Sequence, residues 1–205
     1  MRSSKSLATL TGSVVLLLAL AGCTSAEPEP TTTPDAPVPV ETPTATPTPE
    51  PRIFSLPDSC DAIFPQSRVD SWEAEGILLL GGPGGKYGNA YLGDETPEER
   101  AGGISCIWGY ENAAVSSFTV SVAPLTQDTR ADIVESFTEQ GLNEATDDSG
   151  TVFSIQGDTT LTPAVYNRLL GQGWVSVLAT IGGAAAYADV VAVADEVTEL
   201  VYTAG

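Results

Sequence analysis

Apolar positions divide the chain into three regimes. Leu7 to Gly22 reads LATLTGSVVLLLALAG, an apolar run broken only by Thr9, Thr11, Gly12 and Ser13. Residues 24 to 52 hold just two strong hydrophobes, Val38 and Val40. From Ile53 onward the apolar residues recur with the periods of helices and strands, so the folded unit begins there.

Within that unit, PDSCDAIF predicts a short helix capped by Asp58 or Ser59, turning Cys60, Ile63 and Phe64 inward before Pro65 stops it. SRVDSWEAEG continues as a second helical stretch through Val69 and Trp72. Ile77 to Leu80 is uniformly apolar, either a buried strand or the end of that helix; periodicity does not choose. In GISCIWGY the residues Ile104, Cys106, Trp108 and Tyr110 share one strand face, and Phe118, Val120 and Val122 do the same in SSFTVSV. A turn through Glu111 to Ala114 joins the two as a hairpin.

TRADIVESFTEQG sets Ile133, Val134 and Phe137 on one helical stripe, with Asp128 or Thr129 as cap and Gly141 as stop. DDSGTVFSI reads as a turn and then a strand through Val152 and Ile155. TPAVYNRLLGQG is either a helical turn or a strand entering a hairpin. WVSVLATI is apolar on both faces and therefore a central strand. Tyr187, Val190, Val191, Ala194, Val197, Leu200 and Val201 recur at threes and fours, an amphipathic C-terminal helix. This order predicts an α+β domain, an antiparallel sheet with helices packed on one face, preceded by a disordered linker.

The first two regimes define the expected organisation. Residues 1 to 22 have the parts of an export signal: Arg2 and Lys5, the apolar run, then small residues. Leu20 to Cys23, LAGC, resembles the lipobox of bacterial lipoproteins, which implies that Cys23 is joined to diacylglycerol and becomes the mature N-terminus. At about 0.8 kcal/mol per buried CH₂, two or more acyl chains anchor stably. An ordinary secretory signal or an uncleaved membrane helix is the alternative. Residues 23 to 52 hold nine of the fifteen prolines, a composition that favours extended polyproline II and reads as a stalk. Residues 53 to 205 form the single globular domain.

Three cysteines is an odd number for an exported chain. With Cys23 lipidated, Cys60 and Cys106 remain for a disulfide in an oxidising compartment, worth about 4 kcal/mol for a loop of this length. Two buried free thiols is the alternative reading.

LPDSCDAIF and GISCIWGY, behind a lipobox and a Thr/Pro stalk, resemble a group of actinobacterial lipoproteins of unknown function. The resemblance implies an α+β domain tethered to the cell membrane through Cys23, facing the extracytoplasmic side, with Cys60 and Cys106 paired. It implies no activity. Trp108 either packs near that bridge or serves as an ordinary core aromatic.

Absent residue types narrow the chemistry. The chain has no histidine, which removes the commonest general base and metal ligand. With all three cysteines committed, no thiolate nucleophile remains. Lys86 is the domain's only lysine, and Pro83 stands where a Ser-x-x-Lys motif needs serine. Carboxylates are left, 22 against five basic residues in the domain. Asp94, Glu95, Glu98 and Glu99 read as a solvated acidic face. NEATDDSG resembles a calcium loop only loosely, without alternating ligands or a closing glutamate. No cofactor is expected, and the acidic balance excludes nucleic acid.

The stretch LLLGGPGGKYG, Leu78 to Gly88, raises the question of a phosphate loop and fails it on spacing: Leu80 and Tyr87 occupy the positions that need glycine and Ser or Thr. It is expected to be a mobile surface loop, with Lys86, Tyr87 and Tyr91 as contact residues. The sequence thus predicts a non-catalytic binding or interaction module. Its competitor is a carboxylate-dependent enzyme on cell-wall or surface glycans, which would show two carboxyl groups in a cleft beside Trp72, Trp174 or Tyr187. A ligand sensor with an apolar pocket between sheet and helices is a third reading.

Overall fold

The computed structural model describes residues 52–112, 117–147 and 150–204. The predicted signal, Cys23 and the proline-rich segment to Pro51 lie outside the described residues, as do 113–116 in the predicted hairpin turn and 148–149 in NEATDDSG.

The run that is apolar on both faces becomes β8 (Gly173–Ala179), the fourth of seven antiparallel strands. On one side of it lie β4 (Ser117–Pro124), β3 (Ile104–Gly109) and β2 (Leu78–Gly81). On the other lie β7 (Ala164–Leu169), β6 (Gly150–Ile155) and β5 (Asn143–Asp147). The apolar run before the glycines is therefore a strand, as is the ambiguous PAVYNRL segment. Two short strands, β1 (Arg52–Phe54) and β9 (Tyr202–Ala204), pair the domain's start with its end. Arg52 thus belongs to the folded unit, one residue earlier than expected.

Side-chain alternation gives the sheet two different faces. Cys106, Val120, Val122, Val175 and Val177 point to one of them and are fully buried. Two helices cover this face. α1 (Gln66–Ala74) contributes Val69 and Trp72, and α4 (Ala184–Val201) contributes Val190, Val193, Val197 and Val201. Each buried valine stabilises by about 1.5–3 kcal/mol. Trp72 is the aromatic centre, with ring centroids 5.0 Å from Phe64, 5.4 Å from Trp108 and 5.7 Å from Phe118. Arg168 is buried on the same face, where Nη1 donates to Asp195 at 2.6 Å and Nη2 to Tyr166 Oη at 2.7 Å, while its Nε has no partner among the described residues.

The expected α+β sheet with helices on one face is present, and a second helical layer lies on the other. Ala123, Phe153, Leu169 and Trp174 face α3 (Gln127–Glu139), whose Phe137 ring lies 5.6 Å from Trp174 and 5.4 Å from Phe153. The cap of α3 differs from expectation. Thr126 is the N-cap, accepting from Thr129 N at 3.2 Å, and Thr129 answers by accepting from Thr126 N at 3.0 Å.

Cys60 and Cys106 form the disulfide, with Cα atoms 5.7 Å apart, and both residues are fully buried. The glycine stretch packs directly on it. Gly82 has φ +97°, and a Cβ there would lie 2.3 Å from Ser105 O and 2.8 Å from Cys60 Sγ. Lys86 N and Tyr87 N donate to Leu79 O and Leu80 O at 3.1 and 2.8 Å, and Cys60 N donates to Pro83 O at 3.3 Å. The segment expected as a mobile surface loop is a hydrogen-bonded cover over the bridge, and its glycines allow the close approach.

Two predictions follow from this packing. Replacing Cys60 and Cys106 together by alanine lowers unfolding stability by about 2–5 kcal/mol, read from denaturant midpoints. Gly82→Ala, with the bridge intact, costs about 1–3 kcal/mol by the same measurement, since it meets both a positive φ and a backbone oxygen.

Candidate functional site

The site grows from the TPEER segment. Thr96 caps α2 (Pro97–Arg100), accepting from Glu99 N at 3.2 Å while the Glu99 carboxylate accepts from Thr96 N at 2.9 Å. Proline at the first helical position suits this start, since its missing N–H has no intrahelical partner to lose. The capping box fixes the turn, and Glu98 is the residue it directs inward. Gly103 lets α2 close on the sheet: a Cβ there would lie 2.2 Å from Val122 O and 2.6 Å from Ala123 Cα.

Beneath α2 the sheet carries a polar row. The register aligns Ser105 with Ser121, Ser121 with Ser176 and Ser176 with Asn167 across four strands. Ser105 Oγ lies 2.8 Å from Ser121 Oγ and 2.7 Å from Thr96 Oγ1, joining α2 to the row. Asn167 Oδ1 accepts from Trp174 Nε1 at 3.1 Å, which leaves its NH₂ group to donate elsewhere. An adjacent row, Thr119, Leu178 and Val165, is mostly apolar.

Between α2, α3 and these rows lies a cavity of about 540 Å³. Its apolar walls include Ile133 and Phe137 from α3 with Trp174, Leu178 and Val165 from the sheet; Glu98, Ser176 and Asn167 are among its polar groups, and Arg100 and Asp132 are its other charged ones. Glu98 is only 7% exposed. Burial pushes its carboxyl up from the ordinary glutamate value, against hydrogen bonds from its own backbone N–H and from the Ser176 and Thr96 hydroxyls, which favour the ionised form. The nearby Glu99 charge adds to the rise.

Of the four acids expected on a solvated face, Asp94 and Glu95 are exposed and Glu99 is occupied by the capping box. Glu98 is the correction. It is buried because a four-residue helix turns one of two consecutive glutamates to the sheet, and no apolar period announces so short an element. Asp132, from α3, is the second carboxyl at this cavity and is exposed.

The other expected residues fall elsewhere. Lys86, Tyr87 and Tyr91 do come together on the surface: the tyrosine rings stack at 5.2 Å, and Lys86 pairs with Glu111, which also accepts from Tyr87 Oη at 3.3 Å. The hydrogen bond with Glu111 raises the Lys86 pKa, and the same bond lowers that of Glu111. Trp72 borders a separate groove of about 480 Å³ whose acids, Glu75 and Asp189, are exposed. Tyr187 donates to Ser154 Oγ at 2.9 Å. Among the described residues no group of three or more metal-ligating side chains occurs, and no helix is long and apolar enough to cross a membrane.

Comparison with protein-family models, with curated proteins and with solved structures gives no match for this chain.

Glu98 makes stability depend on pH. Its folded pKa lies above the unfolded one, so the native state holds the proton more tightly and stability falls as pH rises between the two values. Glu98→Gln removes that loss. The variant is expected to come nearest the wild type in Tm well below the unfolded glutamate pKa of about 4.3, and to gain on it as pH rises above that value.

Proposed function

We propose that this protein is a membrane-anchored extracytoplasmic lipoprotein whose domain is a non-catalytic binding module, taking its ligand in the cavity between the sheet and α2 with α3. The cavity carries the binding half of this reading. It combines a largely apolar lining with a few convergent polar groups and lies within the range of about 300–1,000 Å³ typical of small-molecule sites. The anchored half rests on the LAGC motif behind its apolar run, with Cys60 and Cys106 joined to each other and Cys23 left as the odd cysteine. The resemblance to actinobacterial lipoproteins agrees with the anchored half and adds no activity.

One observation favours a second reading. Glu98 is a buried carboxyl beside Trp174, and Asp132 borders the same cavity, so a carboxylate-dependent glycan hydrolase has a candidate acid. The exposure of Asp132 weighs against that reading, because the second carboxyl is not enclosed in the cleft with Glu98.

Nile red fluorescence tests the cavity. The dye is expected to brighten and blue-shift with the wild-type protein. Thr119→Trp, which fills the cavity from β4, is expected to abolish that response while leaving the far-UV circular dichroism unchanged. An equal response from both proteins refutes the site. For the anchor, expression in a lipoprotein-processing bacterium should place the wild type in the membrane fraction and Cys23→Ser outside it. Release of reducing sugar from cell-wall polysaccharide, lost in Glu98→Gln, would replace the binding reading with the hydrolase.

A further inference from the structure

We infer that the cavity selects a small uncharged molecule with an apolar or aromatic body and one amide-like or alcohol end, the polar end seated on Glu98, Ser176 and Asn167. This inference rests on the binding reading above and adds the ligand's charge and polarity.

The charge of the floor carries it. Ser121, Ser176 and Asn167 are neutral, and no basic side chain stands among them on the sheet. The charged groups around Glu98 are few. Arg100, on its own helix, borders the cavity but is exposed and donates to Glu95 O at 2.7 Å; Glu99 is held by the cap; Asp132 borders the cavity from α3 and is exposed too. The strands β4, β7 and β8 present no titratable side chain to the cavity.

An anion entering this cavity would find no counter-charge on the sheet, only the solvent-exposed Arg100 at its border, and would meet 17 excess negative charges over residues 53–205. A cation seated on Glu98 would need its carboxyl ionised where it is nearly closed to water and the charged form is disfavoured. A neutral ligand asks for neither. In the protonated form that burial favours, the Glu98 carboxyl offers one O–H donor and one carbonyl acceptor, and the Asn167 NH₂ adds a second donor. A carboxamide or alcohol group can both accept and donate, so it satisfies all of these at once. Trp174, Phe137, Ile133 and Leu178 then enclose its body.

The selection should disappear as Glu98 ionises. Loss of the proton removes the donor and leaves a charge that holds water in the cavity, so affinity for a neutral ligand falls as pH rises through the Glu98 titration. An amine ligand would behave oppositely, tightening with pH as it displaces that proton.

The test uses three small probes of similar shape and different charge: phenylacetamide, phenethylammonium and phenylacetate. Each is titrated into the nitrogen-15-labelled full chain carrying Cys23→Ser with its bridge oxidised. The Trp174 indole N–H resonance, whose proton is held by Asn167, reports occupancy of the floor. Phenylacetamide is expected to shift that resonance with an affinity about tenfold or more above either charged probe. Its affinity is expected to decline with rising pH in the wild type and to stay flat in Glu98→Gln, which keeps a neutral donor and acceptor at every pH. A preference for phenethylammonium or phenylacetate overturns the inference, as does the same pH profile in the variant. Should the variant fail to fold, the charge preference of the wild type decides alone. If Nile red binds and none of the three probes does, the inference fails and the cavity reading stands; if neither Nile red nor any probe binds, both fail.

Discussion

Everything in this domain is referred to the register of β8. Val175, Val177 and Ala179 must point to α4, and Trp174, Ser176 and Leu178 to α3, because side chains alternate strictly along a strand. A slip of one residue against β4 or β7 would expose the valines to the cavity and bury Ser176 among the side chains of α4. The apolar pairings on the helix-covered face, Val120 with Val177 and Val122 with Val175, oppose that slip. The pocket's polar floor is therefore fixed by packing on the opposite side of the sheet.

The two faces are built to different standards. Under α1 and α4 the side chains interlock around Trp72, and the disulfide with its glycine cover closes the region near β2 and β3. Over the other face α3 rests on the sheet mainly through Phe137, with α2 wedged in at the side by Gly103. A helix seated at one end by a large ring and flanked by a single-turn helix leaves a gap. That gap is the cavity, so the weaker layer is also the one with room for a ligand. Regions of this kind open at lower free energy than a continuous core, as ligand entry requires.

Much of the architecture was legible before any coordinates. The central position of β8 followed from its two apolar faces, the hairpin of β3 and β4 from alternation at Cys106, Trp108, Val120 and Val122, and α4 from its stripe of valines. The misses share a cause. β5 is an edge strand with all five residues exposed, so NEATD carries no apolar alternation and exists only through its pairing with β6. α2 is a single turn whose one inward residue is a glutamate, and composition places glutamates outside. The polar floor was invisible for a related reason: Ser105, Ser121, Ser176 and Asn167 come from four separate strands, and only their register makes them neighbours. The glycines were noticed, yet what they approach, a disulfide and a neighbouring strand's backbone, is a tertiary fact that local sequence does not carry.

The cover over the bridge has a chemical corollary. Thiol–disulfide exchange requires a thiolate to reach a sulfur in line with the bond it breaks, and here both cysteines are sealed beneath Gly82 and the backbone of Ser105. A reductant can act only after the segment from Gly82 to Gly88 lifts, so the lifetime of the bond depends on how readily that segment opens as well as on the reductant. The same seal imposes an order on maturation. A chain whose glycine segment settled first would shut its thiols away from any oxidant, and the covalent step must come before the last local folding step is complete.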